Sequence, residues 1–82
     1  MEILPSALER GYSVDDLLHA VARSIRAFDQ PDGMAMYIGP NQAGNLMEVG
    51  VIVLWDGSLA IAHARRPPRR KHTLSKPARS RR

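Results

Sequence analysis

The chain has no cysteine, so neither a disulfide nor a thiolate-bound metal can staple this domain of 82 residues. A single small apolar core must hold it, near the lower size at which such a core suffices. The absence also fits a reducing compartment. No apolar run approaches the ~18 residues of a membrane span, and the opening MEILPSALER carries Glu2 and Glu9 where a secretory leader is basic. The expectation is a soluble, cytoplasmic protein with no membrane contact. There is no internal repeat. The histidines, His19, His63 and His72, have no carboxylates spaced to complete a ligand set, so neither a metal nor another cofactor is expected.

Acid is missing from one end. Residues 63–82 hold nine Lys and Arg and no Asp or Glu, a balance of +9, whereas residues 1–62 balance at −5. The plainer reading of a basic end is a solvated tail that aids solubility, but here its charge begins beside the most reactive side chains of the sequence. Nucleic acid is therefore the expected partner.

Those side chains belong to residues 45–66, NLMEVGVIVLWDGSLAIAHARR, in which two apolar runs flank Asp56-Gly57. Asp-Gly between such runs is a strong hairpin signal. A two-residue loop sets Trp55 opposite Ser58, Leu54 opposite Leu59, Ile52 opposite Ile61, Gly50 opposite His63 and Glu48 opposite Arg65. Alternation then gives one face of Met47, Val49, Val51, Val53 and Trp55 with Ala60, Ala62 and Ala64. The other face carries Leu46, Ile52, Leu54, Leu59 and Ile61, with Glu48, His63 and Arg65 gathered far from the turn.

Upstream, residues 2–10 read as a short helix with Pro5 in its first turn, ended by Gly11. Ser13 is a good N-cap for a principal helix, with Asp15 and Asp16 in its first turn. Val14, Leu17, Leu18, Val21, Ile25 and Phe28 recur at helical spacing and should pack on the Val49, Val51, Val53 face. Residues 29–33 form a turn, 34–38 a first strand and 39–45 a polar loop. Pro67-Pro68 then closes off regular structure. The expected fold is α+β, with two N-terminal helices on a three-stranded antiparallel meander, one domain over 1–66 and a loose basic tail over 67–82.

An acid, an imidazole and a guanidinium on one patch of sheet are the groups that acid–base chemistry on a phosphate ester uses: a base, a proton donor and a cation for the developing charge. Glu48 or His63 supplies the base, protonated His63 the acid, and Arg65 or Arg66 the phosphate clamp. The plainer alternative is a cross-strand Glu48–Arg65 salt bridge of about 0.2–1 kcal/mol with His63 as a bystander. His19 reads first as a helix-surface histidine, with a supporting role behind the site as the sharper alternative. His72 reads as a phosphate contact in the tail, or as a residue without a role. Tyr37 suits strand packing, and Tyr12 a staple before the N-cap.

Four segments in order, Arg10-Gly11-Tyr12-Ser13-Val14, Tyr37-Ile38-Gly39-Pro40, Gly44-Asn45-Leu46-Met47-Glu48-Val49 and Ile61-Ala62-His63-Ala64-Arg65-Arg66, span residues 10–66. On these the chain resembles the BrnT-like toxins of bacterial toxin–antitoxin pairs, a branch of the RelE-type ribonuclease fold. The resemblance implies a metal-independent endoribonuclease of lenient sequence preference. It implies a cognate antitoxin as partner, with which a higher-order complex forms. It places Glu48, His63 and Arg65 in the catalytic role, and the basic run adds Arg66, Arg69, Arg70 and Lys71 as RNA contacts. The family often continues into a basic C-terminal helix, where this chain has Pro67-Pro68. The competing expectation is a non-catalytic RNA- or partner-binding module, a toxin relic.

Overall fold

A computed structural model describes residues 1–73. The chain runs β1 (Glu2–Ile3), α1 (Pro5–Leu8), α2 (Val14–Ala22), β2 (Arg26–Asp29), β3 (Ala35–Pro40), β4 (Leu46–Val53), β5 (Leu59–Arg65) and α3 (Arg70–Thr73). The strands form one five-stranded sheet in the order β1-β5-β4-β3-β2. β2 to β5 make an antiparallel meander, and β1 adds to the far edge, parallel to β5. The expected two helices on a three-stranded meander are thus corrected to small helices on a five-stranded sheet.

The extra meander strand comes from the principal helix, which is shorter than its apolar stripe. Ser13 caps α2 as expected, its Oγ accepting from the Asp16 amide at 3.1 Å. The helix stops at Ala22, and the Ile25 amide already donates to the Ile38 carbonyl across the sheet at 2.7 Å. Ile25 is 71% exposed, and Phe28 lies on β2. The run Ile25-Arg26-Ala27-Phe28 satisfies helical and alternating spacing alike, an ambiguity periodicity cannot settle in a short segment. Pro31-Asp32-Gly33 decides it by folding β2 back on β3.

All three meander turns share one geometry. In each, a residue and the one four places on exchange a hydrogen bond (Gln30/Met34, Asn41/Asn45, Leu54/Ser58), and a glycine at the fourth position (Gly33, Gly44, Gly57) has φ near 90°. This is a type I turn closed by a left-handed residue, the common three-residue hairpin loop. Side-chain acceptors brace the turns: Asp32 takes the Met34 amide, Asn41 the Ala43 and Asn45 amides, and Asp56 the Ser58 hydroxyl and amide.

The Asp56-Gly57 loop is therefore one residue longer than the expected two. Val53 faces Leu59 and Val51 faces Ile61, one step out of the expected register. A bulge then leaves Ala62 unpaired, and beyond it Gly50 faces His63 and Glu48 faces Arg65 as expected. The slip carries Ile61 to the helix side, where it is buried, and leaves Trp55 98% exposed.

The main core lies between the helices and one face of the sheet: Ala7, Leu17 and Ala20 against Met47, Val49, Val51, Ile61 and Ala64. Gly39 lets α2 lie directly on β3, because a Cβ there would collide with the Ala20 carbonyl. Asp16 ties the next loop to the same helix by accepting the Gln42 amide at 2.8 Å. On the opposite face Met36 and Ile38 are buried, in cross-strand register with Gly50 and Glu48. Residues 67–73, expected to belong to a loose tail, fold back over this face as far as α3; residues 74–82 of that expected tail lie outside the described residues.

Candidate functional site

Glu48 is the polar residue that the second face is built around. It lies mid-strand in LMEVGVIV and is fully buried, so an ionised carboxylate there needs donors at both oxygens. Three reach it. His63 on β5 bonds Oε2 through Nε2 at 2.6 Å. His72 on α3 bonds Oε1 through Nδ1 at 2.7 Å, and the Arg69 amide donates to the same oxygen at 2.7 Å. The Arg69 side chain adds a longer contact, Nε to Oε2 at 3.9 Å. Burial pushes the Glu48 carboxyl upward, but the Arg69 amide and then the two imidazoles outweigh it and hold the group below its ordinary value.

Because His63 gives its Nε2 proton to the carboxylate, Nδ1 is the nitrogen left for chemistry. The side chain retains 25% exposure and opens on a cleft of ≈ 170 Å³ lined by Gln30, Asp32, Met34, Met36, His63 and Arg69. Gly50, opposite His63, makes room for this: a Cβ there would strike the Met34 thioether and press on the His63 Cβ. A carboxylate bonded to one nitrogen of an imidazole that lines a cleft is the arrangement of an oriented general base. Arg69, 46% exposed on the same cleft, supplies a guanidinium for an anion.

The expected site residues fare unequally. Glu48, His63 and Arg65 share one face, but Glu48 is too buried and too fully engaged to touch a substrate, so the base role narrows to His63 and Glu48 orients it. Arg65 lies opposite Glu48 yet directs its Nε to the Pro67 carbonyl at 3.3 Å, and the expected Glu48–Arg65 bridge gives way to the histidine bonds. Arg66, Arg70 and Lys71 are exposed near the cleft-forming segment, and the Arg66 backbone is pinned by the Tyr12 hydroxyl, which accepts its amide at 2.8 Å. His19 bonds the Pro40 carbonyl through Nδ1 at 2.8 Å and belongs to the helix layer, not to the surroundings of Glu48.

His72, expected at most to contact phosphate from the tail, is instead 4% exposed, wedged against the Phe28 ring at 5.2 Å and bonded to Glu48. The signal for it lay in Glu48. One carboxylate amid apolar strand residues requires more donors than a neighbouring strand alone offers, so another segment had to deliver one. Among the described residues no three His, Cys, Asp or Glu side chains are arranged to hold a metal ion. No described helix is long and apolar enough to cross a membrane. Comparison with protein-family models, curated proteins and solved structures finds no match.

Proposed function

We propose that the protein is a metal-independent endoribonuclease, the toxin of a toxin–antitoxin pair acting on cytoplasmic RNA. The observation that carries this reading is the 2.6 Å Glu48–His63 bond at the wall of a cleft that also holds the Arg69 guanidinium. His63 Nδ1 takes the proton from a ribose 2′-OH, and the freed 2′-oxygen attacks the adjacent phosphorus. The P–O5′ bond breaks, and the same imidazole, now doubly protonated, returns a proton to the departing 5′-oxygen. The products are a 2′,3′-cyclic phosphate and a 5′-hydroxyl, with no net proton change. The Arg69 guanidinium stabilises the phosphorane charge, and Arg65 lies within the same basic segment to share it.

Supporting the nucleic-acid part are Arg65, Arg66, Arg69, Arg70 and Lys71, five cations within seven residues, of which Arg69 lines the cleft. The antitoxin part rests on the sequence resemblance. The Leu46, Ile52, Leu54, Leu59 and Ile61 face offers no continuous apolar seat for it, since Ile61 faces the core and the exposed Leu46 and Leu59 lie at opposite ends of the β4–β5 pair. The test is incubation of purified protein with total RNA in excess chelator, followed by end-group analysis. Fragments ending in 2′,3′-cyclic phosphate support the reading. Tight RNA binding without cleavage favours a binding module instead.

A further inference from the structure

The second imidazole bound to Glu48 has no part in the chemistry just described. His72 is nearly buried and cannot meet a substrate, yet it brings a nitrogen to 2.7 Å from Glu48 Oε1. Its protonation pattern follows from its neighbours. Nδ1 faces an ionised carboxylate and so carries a proton. Nε2 is 3.4 Å from the Gln30 side-chain nitrogen, an amide donor, and so is bare and accepting. The ring is therefore a neutral Nδ1–H tautomer, packed against Phe28 with the two rings tilted at 56° and their centroids 5.2 Å apart. Gln30, His72, Glu48 and His63 form one chain of hydrogen bonds drawn from the β2–β3 turn, α3, β4 and β5.

The geometry points to His72 as a positioning residue: by holding Glu48 Oε1 it fixes the carboxylate's orientation, so that Oε2 keeps the proton of His63 on Nε2 and leaves Nδ1 bare toward the cleft. This deepens, and rests on, the ribonuclease reading of that cleft. With Oε1 shared between His72 and the Arg69 amide, the carboxylate cannot rotate to present one oxygen to both histidines. Among the described residues, removing His72 leaves the Arg69 amide as the one close donor on that oxygen. Glu48 then samples other rotamers, and His63 divides its time between tautomers, only one of which can accept a 2′-OH proton. The loss of a donor to the anion also raises the pH at which Glu48 becomes protonated.

The groups facing Glu48 that bear on this titration are His63 and Arg65 from β5, Arg69 from the following segment and His72 from α3. Arg26 on β2 lies two strands away in the same cross-strand row, through Ile38. Neither arginine of the β-strands makes one of the three close bonds to the carboxylate. His72 is the close donor whose side chain can be changed without touching the cleft.

The experiment compares wild type with His72→Leu and His72→Asn. Asparagine carries an amide nitrogen close to the place of imidazole Nδ1 and can still donate to Oε1; leucine of similar size cannot. Rates on a short single-stranded RNA are measured across pH 3–8 in chelator, with imidazole tautomers read by long-range ¹H–¹⁵N NMR. Expected for His72→Leu is a kcat lower by about 10–100-fold, the range for removing a partner that orients a site group. KM stays unchanged, the acidic limb of the rate profile moves to higher pH, and the His63 signals average between tautomers. His72→Asn should restore kcat and the limb. An unchanged kcat and pH profile in His72→Leu overturns the inference, as does a loss that His72→Asn shares equally. If wild type cleaves no RNA, the enzymatic reading falls and the NMR alone decides: a wild-type His72 bearing its proton on Nε2 overturns the positioning role, and His63 tautomers that change only in His72→Leu support it. Should His72→Leu fail to fold, the wild-type tautomers and His72→Asn decide in the same way.

Discussion

Replacing Glu48 by glutamine tests the heart of the site with almost no change of shape. Three donors meet the carboxylate, at 2.6, 2.7 and 2.7 Å. Bonds to an ionised acceptor contribute about 1.5–3 kcal/mol and neutral ones about 0.5–1.5, so each bond weakens by about 1 kcal/mol. Relief from burying a charge offsets part of that, because an amide is far cheaper to remove from water. The expected net loss at pH 7 is about 1–2 kcal/mol, or roughly 5–15 °C in melting temperature for a domain this small. The glutamine carbonyl can still serve Arg69 and His72, but its amide must donate to His63 Nε2. That forces the proton of His63 onto Nδ1 and turns the base into a donor, so cleavage should fall by about 10²–10⁴-fold. The pH dependence carries a defined sign. A carboxyl held below its ordinary value of 4.5 stabilises the fold above that pH and loses its contribution as pH falls through the lower folded value. Thermal melts of wild type and Glu48→Gln should therefore converge as pH falls below 4.5. Equal melting at pH 7, with parallel curves down to pH 3, would refute the reasoning.

Gly39→Ala should destabilise the fold by about 1–3 kcal/mol or more in urea titration, because its new methyl meets the Ala20 backbone and not a yielding side chain. Two truncations should separate charge from structure. Deleting residues 74–82 removes Lys76, Arg79, Arg81 and Arg82 and should flatten the salt dependence of RNA binding, by a slope of about 0.7 per lost single-strand phosphate contact, with the melt unchanged. Deleting residues 69–82 also strips the Arg69 amide and His72 from Glu48, and should lower the melting temperature as well.

Much of the site was legible because a sheet has only two faces. Gly50/His63 and Glu48/Arg65 were expected opposite one another and are so, although the loop has three residues and the strand a bulge at Ala62. The two departures cancel beyond the bulge. Between bulge and turn they do not, and that is why Ile61 moved to the core; the longer loop takes in Trp55 and leaves it in solvent. The helix stripe misled at Ile25 and Phe28 because a strand pairing made by Pro31-Asp32-Gly33 outweighs periodicity in a short segment. β1 was hidden by its length, two residues whose strand character comes wholly from the β5 edge. His72 was hidden because nothing local marks it; its place follows from the unmet demand of a buried carboxylate 24 residues earlier.

The central claim is that His63, oriented by Glu48, is the base of a metal-free cleavage. The most direct measurement is single-turnover cleavage of a labelled RNA in chelator by wild type and His63→Ala, with affinity for the same RNA measured alongside. The account predicts wild-type fragments ending in 2′,3′-cyclic phosphate. For His63→Ala it predicts a rate lower by at least about 10²-fold at nearly unchanged affinity. Cleavage by His63→Ala at the wild-type rate, or none by either protein, would contradict it.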